Sequence, residues 1–219
     1  MPYSSALDDI RFTLAHMVDF AAVAATPHFA DASPDMVDAV LQGAGKVCDD
    51  VIAPLNRNGD LHPARLVDGT VQTSPGFADG YNALRDGGWM NLSAPARLGG
   101  PGLPGALNTA VNEMTSGACL SLNLCALLSQ GQIEALDEYA TDAIKALYIP
   151  KLISGAWTGT MNLTEPQAGT DVGALRTKAE PNGDGTYTVT GQKIYISWGD
   201  AEFPENIVHL VLARLPDAP

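Results

Sequence analysis

The hydrophobic period of this chain changes near residue 155, and that change limits the possible folds more than any other feature. Before it, apolar residues recur at helical spacing; after it, short β-branched or aromatic runs are separated by turn residues. Ser33-Pro34 supplies an N-cap and an N1 proline. Met36, Val37, Val40, Leu41, Ala44, Val47, Cys48, Val51 and Ile52 then line one helical face, and Pro54 is expected to end the element. Ser74-Pro75 opens a second helix with Phe77, Tyr81 and Leu84 on one side and Gly87-Gly88 as its stop. A longer helix, rich in Ala and Leu and buried on most sides, is expected over 104–129, with a further pair over 131–139 and 142–153. An amphipathic segment over 7–24 completes the helical part.

Five strands follow, over 157–163, 175–180, 187–190, 193–197 and 207–213, and Asn182-Gly183-Asp184-Gly185 is a hairpin turn. The order predicts an α+β protein: an all-α domain over residues 1–155, then an antiparallel, barrel-like β domain over 156–219. So few strands leave exposed edges and cannot close a barrel, so either the missing strands come from another chain or, the favoured reading, this is the front portion of a longer protein.

Twelve basic residues against 25 acidic ones give a net charge of −13, a surface that repels nucleic acid and anionic membrane. No apolar run of about 18 residues is present, so no membrane span is expected. The start does not read as a secretory leader, because Asp8 and Asp9 stand where a basic region belongs. Cys48, Cys119 and Cys125 lack metal-ligand spacing and read as reduced, core-filling thiols of a cytoplasmic protein. His16, His28, His62 and His209 are too scattered for a metal site or a catalytic dyad.

Two stretches could carry chemistry. The first, Met161-Asn162-Leu163-Thr164-Glu165-Pro166-Gln167-Ala168-Gly169-Thr170-Asp171, is a strand running into a Pro- and Gly-containing loop with two hydroxyls. Its free backbone N–H groups suit a planar polar heterocycle or a phosphate; a capped surface loop explains the same residues. Glu165 and Asp171 read as supports that bond loop N–H groups rather than as an acid/base pair. The second stretch is Gly191-Gln192-Lys193-Ile194-Tyr195-Ile196-Ser197-Trp198-Gly199. Alternation would put Lys193, Tyr195 and Ser197 on one strand face, where a ring and a hydroxyl could meet one flat ligand. An ordinary amphipathic strand fits equally. Gly99-Gly100-Pro101-Gly102 is neither a dinucleotide fingerprint nor a P-loop and reads as a close-approach loop.

Taken together and in this order, Leu163-Thr164-Glu165-Pro166-x-Ala168-Gly169-Thr170-Asp171 and Gly191-x-Lys193-x-Tyr195-Ile196-Ser197 resemble the acyl-CoA dehydrogenase family. The opening Tyr3-x-x-x-x-Leu7-x-Asp9-Ile10-x-Phe12-x-Leu14, Pro150-Lys151-Leu152-Ile153-Ser154-Gly155 and Glu205-Asn206-Ile207-Val208-His209 are similar to its large branch, which includes the methylmercaptopropionyl-CoA dehydrogenases. The resemblance covers the whole chain but only the N-terminal part of such an enzyme.

It implies FAD as cofactor and α,β-dehydrogenation of an acyl-CoA thioester, with the β hydrogen leaving as hydride to flavin N5. Met161, Leu163 and Thr164 would line the isoalloxazine, and Gly169 and Thr170 would approach the pyrophosphate. Tyr195, Ile196 and Ser197 would lie along the flavin, Ser197 reaching N5. Thr170 and Leu103 would meet the acyl-CoA. No catalytic residue is carried over, because the family's proton-abstracting glutamate lies in a C-terminal helical domain beyond Pro219. The resemblance also implies an electron-transfer flavoprotein as acceptor and a homodimer or homotetramer when full length. An acyl-CoA oxidase or flavin monooxygenase, or a non-catalytic subunit, would share the scaffold.

Overall fold

A computed structural model describes residues 3–218. The chain opens with α1 (Leu7–His16) and α2 (Phe20–Ala24), separated by a left-handed Asp19 that breaks the expected single segment. α3 (Pro34–Val47) starts where its cap predicts, with Ser33 Oγ accepting the Met36 N–H at 3.3 Å. Pro54 does not end it. The helix widens into a π turn over Cys48–Ile52 and continues as α4 (Ala53–Leu61). A proline lacks the N–H and clashes with the carbonyl four residues back, and a local i→i+5 turn at that point removes both problems.

A hairpin of β1 (Arg65–Val67) and β2 (Thr70–Gln72) interrupts the helical part. Its turn is Asp68-Gly69, both with positive φ, a turn signal that the helical reading passed over. α5 (Phe77–Asp86) begins after Gly76, whose φ of 84° sets the helix start three residues beyond the Ser74 cap expected. Phe77, Tyr81 and Leu84 are its buried face, as their spacing requires.

The expected helices over 104–129 and 131–139 form one element, α6 (Gly105–Tyr139), with a break at Cys119 (φ −156°, ψ 92°). Asn108 Nδ2 donates to Gln130 Oε1 at 3.2 Å, and Asn123 Nδ2 donates to Ser116 Oγ at 2.8 Å. A straight helix would hold residues 108 and 130 about 33 Å apart. The 35-residue run is therefore a helical hairpin folded at Cys119, its two arms antiparallel. α7 (Asp142–Ile153) follows, capped by Thr141 Oγ1 on the Ile144 N–H at 3.4 Å.

Leu41, Ile52, Tyr81, Met114 and Leu122 form the centre of the main core between these helices. Each such side chain contributes roughly 1.5–3 kcal/mol when fully buried. A smaller cluster of Ile133, Ile149 and Leu152 lies under Trp157 and Val208.

The strands follow in the expected order, so the α+β class holds. β3 (Trp157–Asn162) pairs with β6 (Asn206–Val211) from Trp157↔Asn206 to Asn162↔Val211, and β4 (Lys178–Pro181) pairs with β5 (Tyr187–Thr190) across the Asn182–Gly185 turn. The second pair is antiparallel as expected, but the first is parallel. The connection over 163–205 is long enough to cross over and bring the chain back in the same direction. No strand forms over 193–197 among the described residues. Tyr195 and Trp198 have φ of 58° and 56°, which interrupts an extended run, and no neighbouring strand supplies a ladder.

β3 is fixed to the helices by polar contacts as well as packing. The Gly159 N–H donates to Ser129 Oγ at 2.9 Å, and the Tyr81 hydroxyl donates to Gly155 O at 2.9 Å. β3 thus delivers its C-terminal loop to a fixed place beside α6.

Candidate functional site

β3 ends at Asn162, and the chain turns at Pro166-Gln167, closed by reciprocal bonds between Glu165 and Ala168 of 2.9 and 3.0 Å. Glu165, only 3% exposed, organises everything around it. Its carboxylate accepts the Arg176 N–H at 2.6 Å, the Thr177 N–H at 3.0 Å, Gln167 Nε2 at 2.6 Å and Lys193 Nζ at 2.8 Å. Burial opposes its charge, but the Lys193 ammonium and these donors outweigh that effect and hold the carboxyl far below the usual range. Glu165 is a permanent carboxylate with its lone pairs occupied, the supporting role its turn context predicts. Asp171 does not share that role: its side chain is exposed and caps nothing in the turn that follows.

Lys193 joins the two sequence stretches. Its ammonium also donates to Leu163 O at 3.0 Å, and the neighbouring Ile194 N–H donates to Thr164 O at 3.0 Å. The alternation that put Lys193 on one face with Tyr195 and Ser197 is therefore corrected. The Lys193 side chain is 9% exposed while Tyr195 is 89% exposed, because residue 195 is left-handed and the period-2 rule fails there. Lys193 was legible as a charge at a strand position, but only the fold reveals its buried partner.

The remaining candidates divide by exposure. Leu163, Gly169, Thr170, Tyr195 and Ser197 are exposed, and Met161, Thr164 and Ile196 are half-buried. Met161 lies over α6, where a Cβ on Gly131 would come within 2.8 Å of its methyl. The Gly169 and Thr170 N–H groups donate to nothing among the described residues. Gly169 has no positive φ, and a Cβ built on it would meet no atom within 4 Å. Neither conformation nor packing within the chain calls for glycine there, and the absent side chain leaves the open N–H donors room for a close-approaching phosphate. The exposed loop, with its hydroxyl and free donors, thus fits a dinucleotide pyrophosphate. Leu103 is held in the helical part, its N–H on Leu92 O at 2.9 Å and its side chain against the main core. No hydrogen bond ties it to Thr170.

One residue escaped sequence reasoning. Trp198 stacks with Phe77 at 6.1 Å and donates Nε1–H to Ser121 O at 2.8 Å. With Ile196 and Ser197 it walls a cavity of about 540 Å³ whose other side includes Phe77, Ser121 and Leu124. Among the described residues no group of three His, Cys, Asp or Glu could hold a metal, and no helix is long and apolar enough to cross a membrane.

The helical hairpin packed on a β segment that carries a stapled, donor-rich loop defines an α+β scaffold with an open loop surface. The fold is similar to the crystal structure of an acyl-CoA dehydrogenase complexed with FAD from Bacillus anthracis, with a TM-score of 0.68 at 19% identity, covering 84% of this chain and 29% of that one. Identity that low speaks for the fold alone.

Residues 38–156, more than half of the chain, match the model for the acyl-CoA dehydrogenase N-terminal domain, and the chain belongs to the acyl-CoA dehydrogenase family. It is 45% identical over 219 residues to 3-methylmercaptopropionyl-CoA dehydrogenase of Ruegeria pomeroyi, covering 100% of this chain and 37% of that protein. It is also 35% identical over 225 residues to a butyryl-CoA dehydrogenase of Syntrophomonas wolfei, covering 99% of this chain and 36% of that protein. The chain thus spans a little over a third of the length of these relatives.

Proposed function

We propose that this chain is the front portion of an FAD-dependent acyl-CoA dehydrogenase that removes the α and β hydrogens of an acyl-CoA thioester. The observation that carries the reading is the Lys193 staple, which joins two motif stretches 28 residues apart into one exposed surface. Family membership and the names of the relatives support the chemistry. The unit over residues 1–155 would supply the helical wall and 156–219 the flavin-facing loops.

On this reading Met161, Leu163 and Thr164 border the isoalloxazine, with the Thr164 hydroxyl on its polar edge. The Gly169 and Thr170 N–H groups meet the pyrophosphate. Tyr195, Ile196 and Ser197 cover the ring on a second side, and Thr170 and Leu103 meet the thioester substrate. Bound FAD would supply the hydride acceptor. Glu165 is unsuited to take the α proton, because a carboxylate already holding two backbone N–H groups and an ammonium is a weak base. On the family resemblance the base is assigned to sequence following Pro219, and the acceptor for the electrons to an electron-transfer flavoprotein. A cytoplasmic location is consistent with three buried, unpaired thiols in the described residues, and a homodimer or homotetramer is assigned on the family resemblance alone.

The test is anaerobic titration of the purified intact protein with butyryl-CoA and 3-methylmercaptopropionyl-CoA. A flavin spectrum that bleaches on addition, with slow reoxidation by air, is expected. A protein with no flavin after reconstitution, or no bleaching with either thioester, would overturn the reading. Rapid oxygen uptake with peroxide release would move the assignment to an acyl-CoA oxidase.

A further inference from the structure

Residues 193–198 are tied down at both ends and bare in the middle. At the first end Lys193 Nζ is bonded to Leu163 O and Glu165 Oε1, and the Ile194 N–H is bonded to Thr164 O. At the other end the Trp198 Nε1–H reaches Ser121 O across 77 residues of sequence. The indole is stacked 6.1 Å from Phe77 and set edge-on 5.6 Å from Phe203, within the border of the helical core. Ser121 lies in the second arm of the α6 hairpin, just past its corner at Cys119.

Between the ties, Tyr195 projects into solvent at 89% exposure, and the cavity of about 540 Å³ lies against Ile196 and Ser197. Packing beneath the segment therefore cannot hold its shape. Yet Tyr195 and Trp198 both sit in the left-handed region, which residues with a Cβ occupy only when their surroundings impose it. A turn closed by the Gly199 N–H on Ile196 O at 3.2 Å accommodates Trp198, and the two ties fix where that turn and Tyr195 stand.

We infer that Trp198 is a positioning residue: it anchors the strap over 195–197 to the helical hairpin and so sets where Tyr195 and Ser197 stand relative to the Thr164 loop. The inference rests on the assignment of those two residues to the flavin. The loop end alone fixes the strap only to the β segment; through Trp198 the helical wall and the flavin-facing strap become one rigid unit. Trp198 touches neither Thr164 nor Gly169 in hydrogen bonding, so it acts through the strap rather than on the ring.

The experiment compares wild type, Trp198→Phe and Phe77→Leu in the intact protein, with far-UV circular dichroism as the folding control. Trp198→Phe keeps an aromatic plane but removes the N–H, and Phe77→Leu removes the stacking partner while leaving Trp198 in place. Amide exchange over 194–197, read by mass spectrometry, is expected to quicken about 2- to 10-fold in Trp198→Phe, the loss of one hydrogen bond. The flavin stoichiometry should hold while the visible circular dichroism and reduction potential of the bound flavin shift, which a merely stabilising residue would not cause. Exchange and flavin signature unchanged in both folded variants would overturn the inference. Wild type that takes up no FAD would sink the flavin assignment, and the exchange comparison would still decide whether Trp198 holds the strap.

Discussion

Glu165 and Lys193 show how one buried pair can fix two distant loops together. Neither charge would survive alone at 2% and 9% side-chain exposure, but each satisfies the other while also binding backbone groups. Glu165→Gln leaves the Lys193 ammonium buried and unpaired, so the melting temperature should fall, and the double variant Glu165→Gln/Lys193→Met should recover part of the loss. The carboxyl is depressed in the folded state, so its stabilisation is complete above the unfolded carboxylate range near pH 4.3 and declines as pH drops below it. Melting scans should therefore show a constant gap between wild type and Glu165→Gln from pH 6 to 8 that narrows below about pH 4. At the exposed edge, Thr164→Val should weaken FAD binding about 2- to 10-fold, the value of one hydrogen bond, and Tyr195→Ala should raise flavin fluorescence. Unchanged FAD affinity and emission would remove both residues from the cofactor surface.

The helical hairpin α6 is the element on which the site depends. Gln130 holds its arms together, accepting from Asn108 and Asn112 at 3.2 and 2.9 Å and donating to Met90 O. Gln130→Leu would strand these partly buried amides and cost about 1–3 kcal/mol for each one left unpaired, read as a lower melting temperature. The β3 contact with α6 leaves even less room. A methyl at Gly159 would overlap the Gln132 side-chain amide, whose oxygen has no hydrogen-bond partner among the described residues. Gly159→Ala should destabilise by roughly 1–3 kcal/mol through overpacking, and a melt within error of wild type would show that Gln132 can turn aside.

Across the whole molecule, all three thiols serve the core. Cys48 and Cys125 are pushed up by burial to about 11 and about 12, and Cys119 forms the hairpin corner with no exposure. Peptide mapping after alkylation at pH 8 should find all three unmodified in the native protein and modified after denaturation. Fast native labelling at Cys125 would mean that the hairpin opens.

Local chemistry was enough to place much of this chain. A serine followed by proline starts α3, alternating short runs mark β3 to β6, and Asn-Gly-Asp-Gly turns β4 into β5, because each signal acts within a few residues. The same local reading expected Glu165 to bond backbone N–H groups, as it does at Arg176 and Thr177. It failed wherever the deciding partner lay far along the chain. The fold of α6 at Cys119 depends on contacts between residues 108 and 130. The parallel β3–β6 pair depends on a crossover, and the bent strap over 193–198 on anchors at Glu165 and Ser121. Period and propensity say what a segment can become; the partner that buries its charge or completes its hydrogen bonds is chosen by tertiary structure.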